Sequence, residues 1–214
     1  MGSKGTNDSD MTSSNNWHNA TLQTILNGAY YNGGTTAHSY YDVITQSYVF
    51  GNTIDFKKSG LNSAVHDKIE TVVWNLGGWN NSEIYSNQVY EYERGNSKCT
   101  DCTYDTTWPG KIALAYPSDV GYAADFTKCS ETLYHYHICM SSDWMTSFIN
   151  GNGEEWLLTP RSDSSGDAWG VYSGLVDNMC SANYERGVRP VFYLDSELSI
   201  ESGNGSKSTP FVVR

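Results

Sequence analysis

The sequence predicts an α+β domain in which early helices pack on a twisted antiparallel sheet, with long loops between the elements. Three observations predict it. Apolar residues recur near helical spacing early in the chain, short apolar runs of strand length dominate later, and the connections are long and rich in Gly, Asn, Ser and Asp.

The elements follow in order. Residues 1–14 read as a mobile leader, with MGSKGTNDSD looking like an expression scar and a polar lead-in, and residues 15–214 as one domain. From Asn16, the run NWHNATLQTILNGAYYN sets Trp17, Leu22, Ile25, Leu26 and Ala29 near helical spacing, and Gly28 with Asn32-Gly33-Gly34 ends it. A second helix is expected over residues 37–47, carrying Tyr40, Tyr41, Val43 and Ile44, and another over 62–70 with Ala64, Val65 and Ile69 inward. Residues 71–76 read as a strand ended by Gly77-Gly78, and residues 82–92 as a helix capped by Ser82. Ile112, Leu114 and Tyr116 alternate with smaller residues, giving a strand that Pro117 stops. Residues 155–159, 168–173 and 188–194 supply three more strands, and 198–200 and 211–213 two short edge strands joined through Gly203-Asn204-Gly205.

Composition narrows the function. The 214 residues suit one domain, and 17% charged residues with 20 Gly and 16 Tyr describe a folded, loop-rich chain rather than a disordered one. A formal net charge of −11, spread without blocks, disfavours nucleic acid, whose phosphates need clustered Lys and Arg. There is no apolar run of the ~18 residues that span a bilayer, so direct membrane insertion is not expected. The abundance of Asn, Ser, Thr, Tyr and Gly favours an exported protein, extracellular or at the cell surface. In that setting the five cysteines read as two bridges and one odd thiol, Cys180. Cys129–Cys139 would close a small loop and Cys99–Cys102 a tight local ring, with cross-pairing between the two sets left open. The same cysteines with His135 and His137 offer zinc chemistry, but the ligand spacing is not that of zinc motifs. His135 and His137 alternate with Tyr134 and Tyr136 as on one face of a strand, which suits packing.

The stretch from Glu154 to Leu194 carries most of the functional signal. It opens with EEWLLTPRS, closes with GVRPVFYL, and holds a polar middle with Trp169, Tyr172 and Tyr184 as stiff anchors. Recognition loops use this mixture because Tyr and Trp bring large contact area for little lost rotamer freedom. Trp156, beside Leu157 and Leu158, is expected in the core. Asp163, Asp167, Asp177 and Asn178 lack calcium-loop spacing and read as solvated turn residues, so neither metal nor cofactor is expected. Glu154 and Glu155 point to opposite strand faces and cannot act as an acid/base couple, and GxSxG, HExxH and phosphate-loop motifs are absent, so the chain reads as a non-enzyme. Arg189 is expected to pair with a buried acid such as Asp119, Gly187 to allow close backbone approach, and Pro190 to mark a bulge or a strand edge.

WLLTPRS, a polar run, then GVRPVFYL resembles the carboxy-terminal signature of bacterial and phage C-type-lectin-like domains, a group that includes formylglycine-generating-enzyme-like folds and the variable proteins diversified by retroelements, such as phage tropism determinants. ILNGAYYNGG, VVWNLGGWN, YEYERG and WPGKIALAYPSDVGYA are similar to exported proteins of gut Gram-positive bacteria, some with pilin-like amino termini. The resemblance spans residues 17–214, and WPGKIALAYPSDVGYA and GVRPVFYL are its most specific parts. It implies a C-type-lectin-like ligand-binding domain, an adhesin or receptor-recognition module that meets a surface protein or a glycan. It also implies that the display positions are Ser162, Asp163, Ser165, Asp167, Trp169, Tyr172, Leu175, Asp177, Asn178, Asn183, Tyr184 and Glu185. Two alternatives accompany it: a pilin-like structural subunit with neighbours in a pilus or surface assembly, and a formylglycine-generating-enzyme-like oxidase, whose copper-holding cysteine pair has no counterpart beside Cys180.

Overall fold

A computed structural model describes residues 15–42, 47–57, 61, 63–95, 99, 102, 104–145, 154–172, 174–182, 186–206 and 208–214. They form an α+β arrangement of short helices and antiparallel strands. The expected single twisted sheet is instead divided into one three-stranded and four two-stranded sheets among the described residues.

The helix expected from Asn16 forms in three parts. A 3₁₀ turn at Trp17–Asn19, capped by the Asn16 side chain, leads into α1 (Thr21–Ile25), which runs on as a π-helical turn at Leu26–Tyr30. Asn27 ties this helix to the sheet: its amide donates to the Ile112 carbonyl at 2.8 Å and accepts from the Ile112 N–H at 3.0 Å.

The helix expected over 37–47 is not formed. β1 (Thr35–Asp42) pairs with β2 (Ser47–Asp55) as an antiparallel ribbon, Thr35 opposite Asp55 and Asp42 opposite Ser47. Tyr40, Tyr41, Tyr48 and Val49 prefer a pleated surface, and cross-strand pairing prevails over mixed apolar spacing. The helix expected over 62–70 shrinks to α2 (Ser63–His66), because Ile69 leaves it to bridge with Leu194.

β3 (Val72–Asn75) forms as expected and pairs with the unexpected β4 (Thr107–Gly110), bringing Trp74 opposite Trp108. α3 (Ser86–Glu93) begins three residues later than the Ser82 cap implied, with Tyr85 at the cap position; Gln88 Oε1 accepts the Tyr85 N–H at 3.0 Å, while the Ser82 carbonyl accepts from the Tyr134 N–H. β5 (Ile112–Leu114) pairs antiparallel with residues 190–192, Ile112 opposite Phe192. Pro117 does more than stop a strand: it opens α4 (Pro117–Tyr122), where a missing N–H costs nothing and φ is preset. Asp119 Oδ2 accepts the Tyr116 N–H at 2.9 Å and completes the start of that helix.

His135 and His137 lie on a 3₁₀ helix, Leu133–Ile138, not on a strand, and both are exposed while Leu133 and Tyr136 turn inward. Disulfides join Cys99 to Cys102 and Cys129 to Cys139, and Cys180 is a buried free thiol. No helix among the described residues is long and apolar enough to cross a membrane.

The carboxy-terminal half supplies the scaffold of the candidate site. β6 (Glu155–Pro160), β7 (Asp167–Tyr172) and β8 (Leu175–Ser181) form the three-stranded antiparallel sheet. β9 (Pro190–Phe192) follows, with Ala113 opposite Val191 and Pro190 at its first position. Single contacts stitch the small sheets together: Leu158 N–H to the Ala115 carbonyl, and paired bonds between Gly187 and the Glu154–Trp156 backbone. Gly187 does permit close approach, since a Cβ there would stand 2.8 Å from the Glu154 carbonyl oxygen. β10 (Ile200–Ser202) and β11 (Val212–Val213) form the expected terminal ribbon.

Two hydrophobic cores flank the three-stranded sheet. Trp156, Leu158, Ala168 and Cys180 pack into one with Trp17 and Trp74, and Leu157, Trp169, Val171 and Val176 pack into the other with Leu133 and Tyr136. Alternation along β6 and β7 divides the residues between the two sides. In β8, Val176 and Cys180 share parity yet serve opposite cores. The register explains this: Val171 faces Val176 and Ala168 faces Cys180, so β8 carries one extra residue, a bulge that reverses its faces.

Candidate functional site

The polar stretch expected to carry ligand contacts is only partly exposed. Trp169 is fully buried and packs in the second core, its indole N–H donating to the Trp79 carbonyl at 3.1 Å. Its expected place on the display surface is therefore corrected: directly after a buried Ala168 on a strand covered on both sides, it has no solvent to face. Ser162 and Asn178 are buried too, Asn178 at the β8 bulge. Asn183, Tyr184 and Glu185 lie outside the described residues.

The remaining expected positions reach the surface in two groups. The first is the turn between β6 and β7. Arg161 Nε donates to Asp163 Oδ1 at 2.5 Å, and its Nη1 lies 3.7 Å from Asp167 Oδ2, which also accepts from Ser164 Oγ at 2.9 Å. The Arg161 guanidinium holds the Asp163 carboxyl below its ordinary value. Asn15 pins this turn from the other end of the domain: its amide donates to the carbonyls of Arg161, Ser164 and Asp167, and its backbone N–H donates to Ser165. A turn so held is ordered before it meets anything, which lowers the entropic cost of binding.

The second group is the β7–β8 hairpin. Gly174, at φ 83°, allows the tight reversal that places Tyr172 opposite Leu175. Gly170 stands opposite Asp177, so Tyr172, Leu175 and Asp177 share one face. Gly170 is required by crowding, since a Cβ would stand 2.9 Å from the Glu155 carbonyl oxygen and 3.0 Å from the Cys180 sulfur. Tyr172 is 43% exposed, Leu175 and Asp177 are half-buried, and Met179 in the bulged strand is 67% exposed.

Arg186 organises this face. Its guanidinium carbon lies 5.2 Å from the Trp156 ring centroid and 5.0 Å from that of Tyr172, while Nη1 pairs with Glu154 Oε2 at 3.1 Å. The charge thus sits between two ring faces, a favourable cation–π geometry that orients the exposed tyrosine. Glu155 points the other way and pairs with Arg189 at 2.9 Å, so adjacent carboxylates serve opposite faces as strand alternation requires. Arg189 does pair with an acid, but with Glu155 rather than Asp119, which is the partner of Arg94. Burial raises the Glu155 pKa, and the Arg189 charge opposes that rise. Burial also pushes the Cys180 thiol up to about 12, so at neutral pH it packs as a small apolar group.

Sequence reasoning missed Arg186, Met179 and Asn15. Leu175, Val176, Met179 and Cys180 were the trace of a strand inside the polar run, blurred by the bulge that breaks their alternation. Asn15 carries no local signal, because its partners lie about 150 residues away. Among the described residues, no three His, Cys, Asp or Glu side chains gather closely enough to hold a metal ion. No family model, no curated protein and no solved structure matches the chain.

Proposed function

We propose that the domain is a non-enzymatic ligand-binding module with a C-type-lectin-like fold, exported and displayed at a cell or virion surface, where it recognises a surface protein or a glycan. The observation that carries this reading is the β7–β8 hairpin face. Tyr172 projects to solvent there beside the half-buried Leu175 and Asp177, from strands whose neighbouring side chains seal two cores, and Arg186 steadies the tyrosine, while Met179 is exposed past the bulge that reverses the strand's faces. A rigid aromatic ring and an adaptable thioether on a fixed scaffold make good contact anchors. Two disulfides suit an oxidising, extracytoplasmic setting. Affinity on this reading comes from the hairpin face and the Asp163 turn, with Trp169 contributing as a support beneath them.

The test is tolerance. A library randomised at Tyr172, Leu175, Asp177 and Met179 should keep the parent melting temperature in most members and yield binders when selected against lysozyme as an arbitrary target. Widespread unfolding of the library would refute a display role. At the genetic level, a reverse-transcriptase gene beside a near-copy of the region encoding residues 155–194 would establish that the stretch is diversified.

A second reading, a structural subunit of a surface assembly, is favoured by the terminal ribbon. There Ile200, Phe211, Val212 and Val213 are 36–62% exposed on a two-stranded unit that is marginal by itself. Concentration-dependent self-association in sedimentation, abolished by Ile200→Lys with Val212→Lys, would support it, and a strictly monomeric chain would remove it.

A further inference from the structure

Away from the hairpin face, a cleft of about 420 Å³ opens between β3, α4 and the end of β9. Its size falls within the range of small-molecule sites. Trp74 lies beneath it, Tyr122, Trp144 and Tyr193 line it, and the Arg94–Asp119 ion pair forms its polar part. Trp74 is buried and lies 5.1 Å, centroid to centroid, from Tyr193. Tyr122, Trp144 and Tyr193 are 46%, 63% and 46% exposed, so substantial ring surface meets solvent around the cleft.

The ion pair is held from behind. Arg94 follows the last turn of α3, and its guanidinium carbon stands 4.3 Å from the Tyr116 ring centroid and 5.5 Å from that of Tyr90. Asp119 receives Arg94 on Oδ1 at 2.5 Å and the Tyr116 N–H on Oδ2. Both charged side chains remain partly open, 24% and 29% exposed, and the buried Arg94 Nε has no hydrogen-bond partner. A donor and an acceptor of fixed geometry therefore lie side by side within a ring-lined cleft.

That combination selects among ligand chemistries. A lone cation would meet the ring faces favourably but also the Arg94 charge. A lone anion would be drawn to Arg94 and repelled by Asp119. The pair sums to zero charge and suits a neutral group that donates and accepts from adjacent atoms, as a vicinal diol does. The same molecule must offer an apolar C–H face to the rings, whose π faces carry negative charge density. We infer that this cleft is a binding site for a neutral saccharide, with one sugar ring against Tyr193 and Trp144 and two neighbouring hydroxyls on Arg94 and Asp119. The inference goes beyond the hairpin reading and shares no residue with it.

The test is a titration of the whole chain, followed by tryptophan fluorescence and saturation-transfer NMR. The probes are neutral mono- and disaccharides built from glucose, galactose, mannose and N-acetylglucosamine, with glucuronate and choline as charged controls. At least one neutral sugar should bind saturably, with Kd on the order of millimolar or tighter, and ahead of both controls. Tyr193→Ala and Trp144→Ala should each weaken it at least tenfold with the chain still folded at the titration temperature. Asp119→Asn should shift preference toward glucuronate by releasing the Arg94 charge. Should that variant misfold, the ring variants decide alone. Tyr172→Ala should leave sugar binding unchanged, which separates failure here from failure of the hairpin reading. A flat response to every neutral sugar, or binding that survives both ring variants, overturns the inference.

Discussion

Trp169 and Tyr172 lie three residues apart on β7, in the same sequence neighbourhood, yet one is fully buried and the other 43% exposed. The difference comes from where the two cores end. Along most of β7 a side chain turning either way meets packed residues, so alternation only decides which core receives it. Only at the hairpin end, where Tyr172 pairs with Leu175, does one face open to solvent. A polar, ring-bearing stretch is therefore not a uniform surface: its reach is set by the length of strand that outruns the cores.

The largest way to break the comparison is Trp169→Ala. Removing a fully buried indole should cost about 3–5 kcal/mol, through lost burial and the cavity left behind. It also strands the Trp79 carbonyl, while the stack of Trp79 on Tyr92 at 4.0 Å loses its neighbour. Urea denaturation should show a large fall in midpoint. A change under ~1 kcal/mol would mean that Trp169 is not the support assigned to it.

A smaller contrast separates the two adjacent glutamates. Arg189→Ala leaves Glu155, whose side chain is 9% exposed, without its ionic partner, and should cost about 3 kcal/mol. Arg186→Ala leaves Glu154, which is 30% exposed and can be rehydrated, so its electrostatic cost should be nearer ~1 kcal/mol. Burial raises the Glu155 pKa, so the Arg189→Ala penalty should grow as pH rises and the carboxyl ionises. Equal and pH-independent losses for the two arginines would show that the two faces are not electrically distinct.

Glu93 offers a pH test of the scaffold between the regions. It is fully buried, accepts from the Ser118 N–H at 3.3 Å and from Thr159 Oγ1 at 3.3 Å, and its pKa is raised to about 8. Burial is the main cause, opposed by the hydrogen bonding of Ser118 and the Arg94 charge. A raised carboxyl pKa means that the folded state holds a proton the unfolded chain gives up. The stability it supports is thus full below the unfolded value near 4.5 and declines as pH climbs to about 8, by on the order of 1 kcal/mol per pH unit. Glu93→Gln should flatten that decline in melting curves taken from pH 5 to 8, and an unchanged slope would assign the proton elsewhere.

How much of this was legible follows from the range of the forces involved. β6, β7 and the terminal ribbon announce themselves by local patterns, and Asp119 with Pro117 opens α4 within four residues. β1 did not, because a ribbon partner decided between helix and strand for residues whose own spacing was mixed. β8 hid behind its bulge: one extra residue reverses the faces, so its apolar positions do not read as a single alternating set. At the site, the opposed glutamates were readable from strand geometry alone. The burial of Trp169 and the place of Arg186 depend on what packs over the strand, which one sequence does not contain.

The finest probe of the comparison is the hairpin face itself. Met179, 67% exposed, makes little buried contact, and Met179→Ala should change stability by no more than ~0.5 kcal/mol. Tyr172→Ala removes a ring that holds one side of Arg186, and a partly exposed cation–π contact is worth ~0.5–1 kcal/mol. A double-mutant cycle with Arg186→Ala isolates that coupling, because the Trp156 contact and the Glu154 pair are lost on Arg186→Ala whether or not Tyr172 is present, and so cancel. A coupling in this range, with Tyr172→Ala nearly neutral in the absence of Arg186, is the signature of an exposed anchor steadied by one charge. Should Tyr172→Ala instead cost as much as Trp169→Ala, the ring belongs to the core, and the contrast between the two ends of β7 disappears.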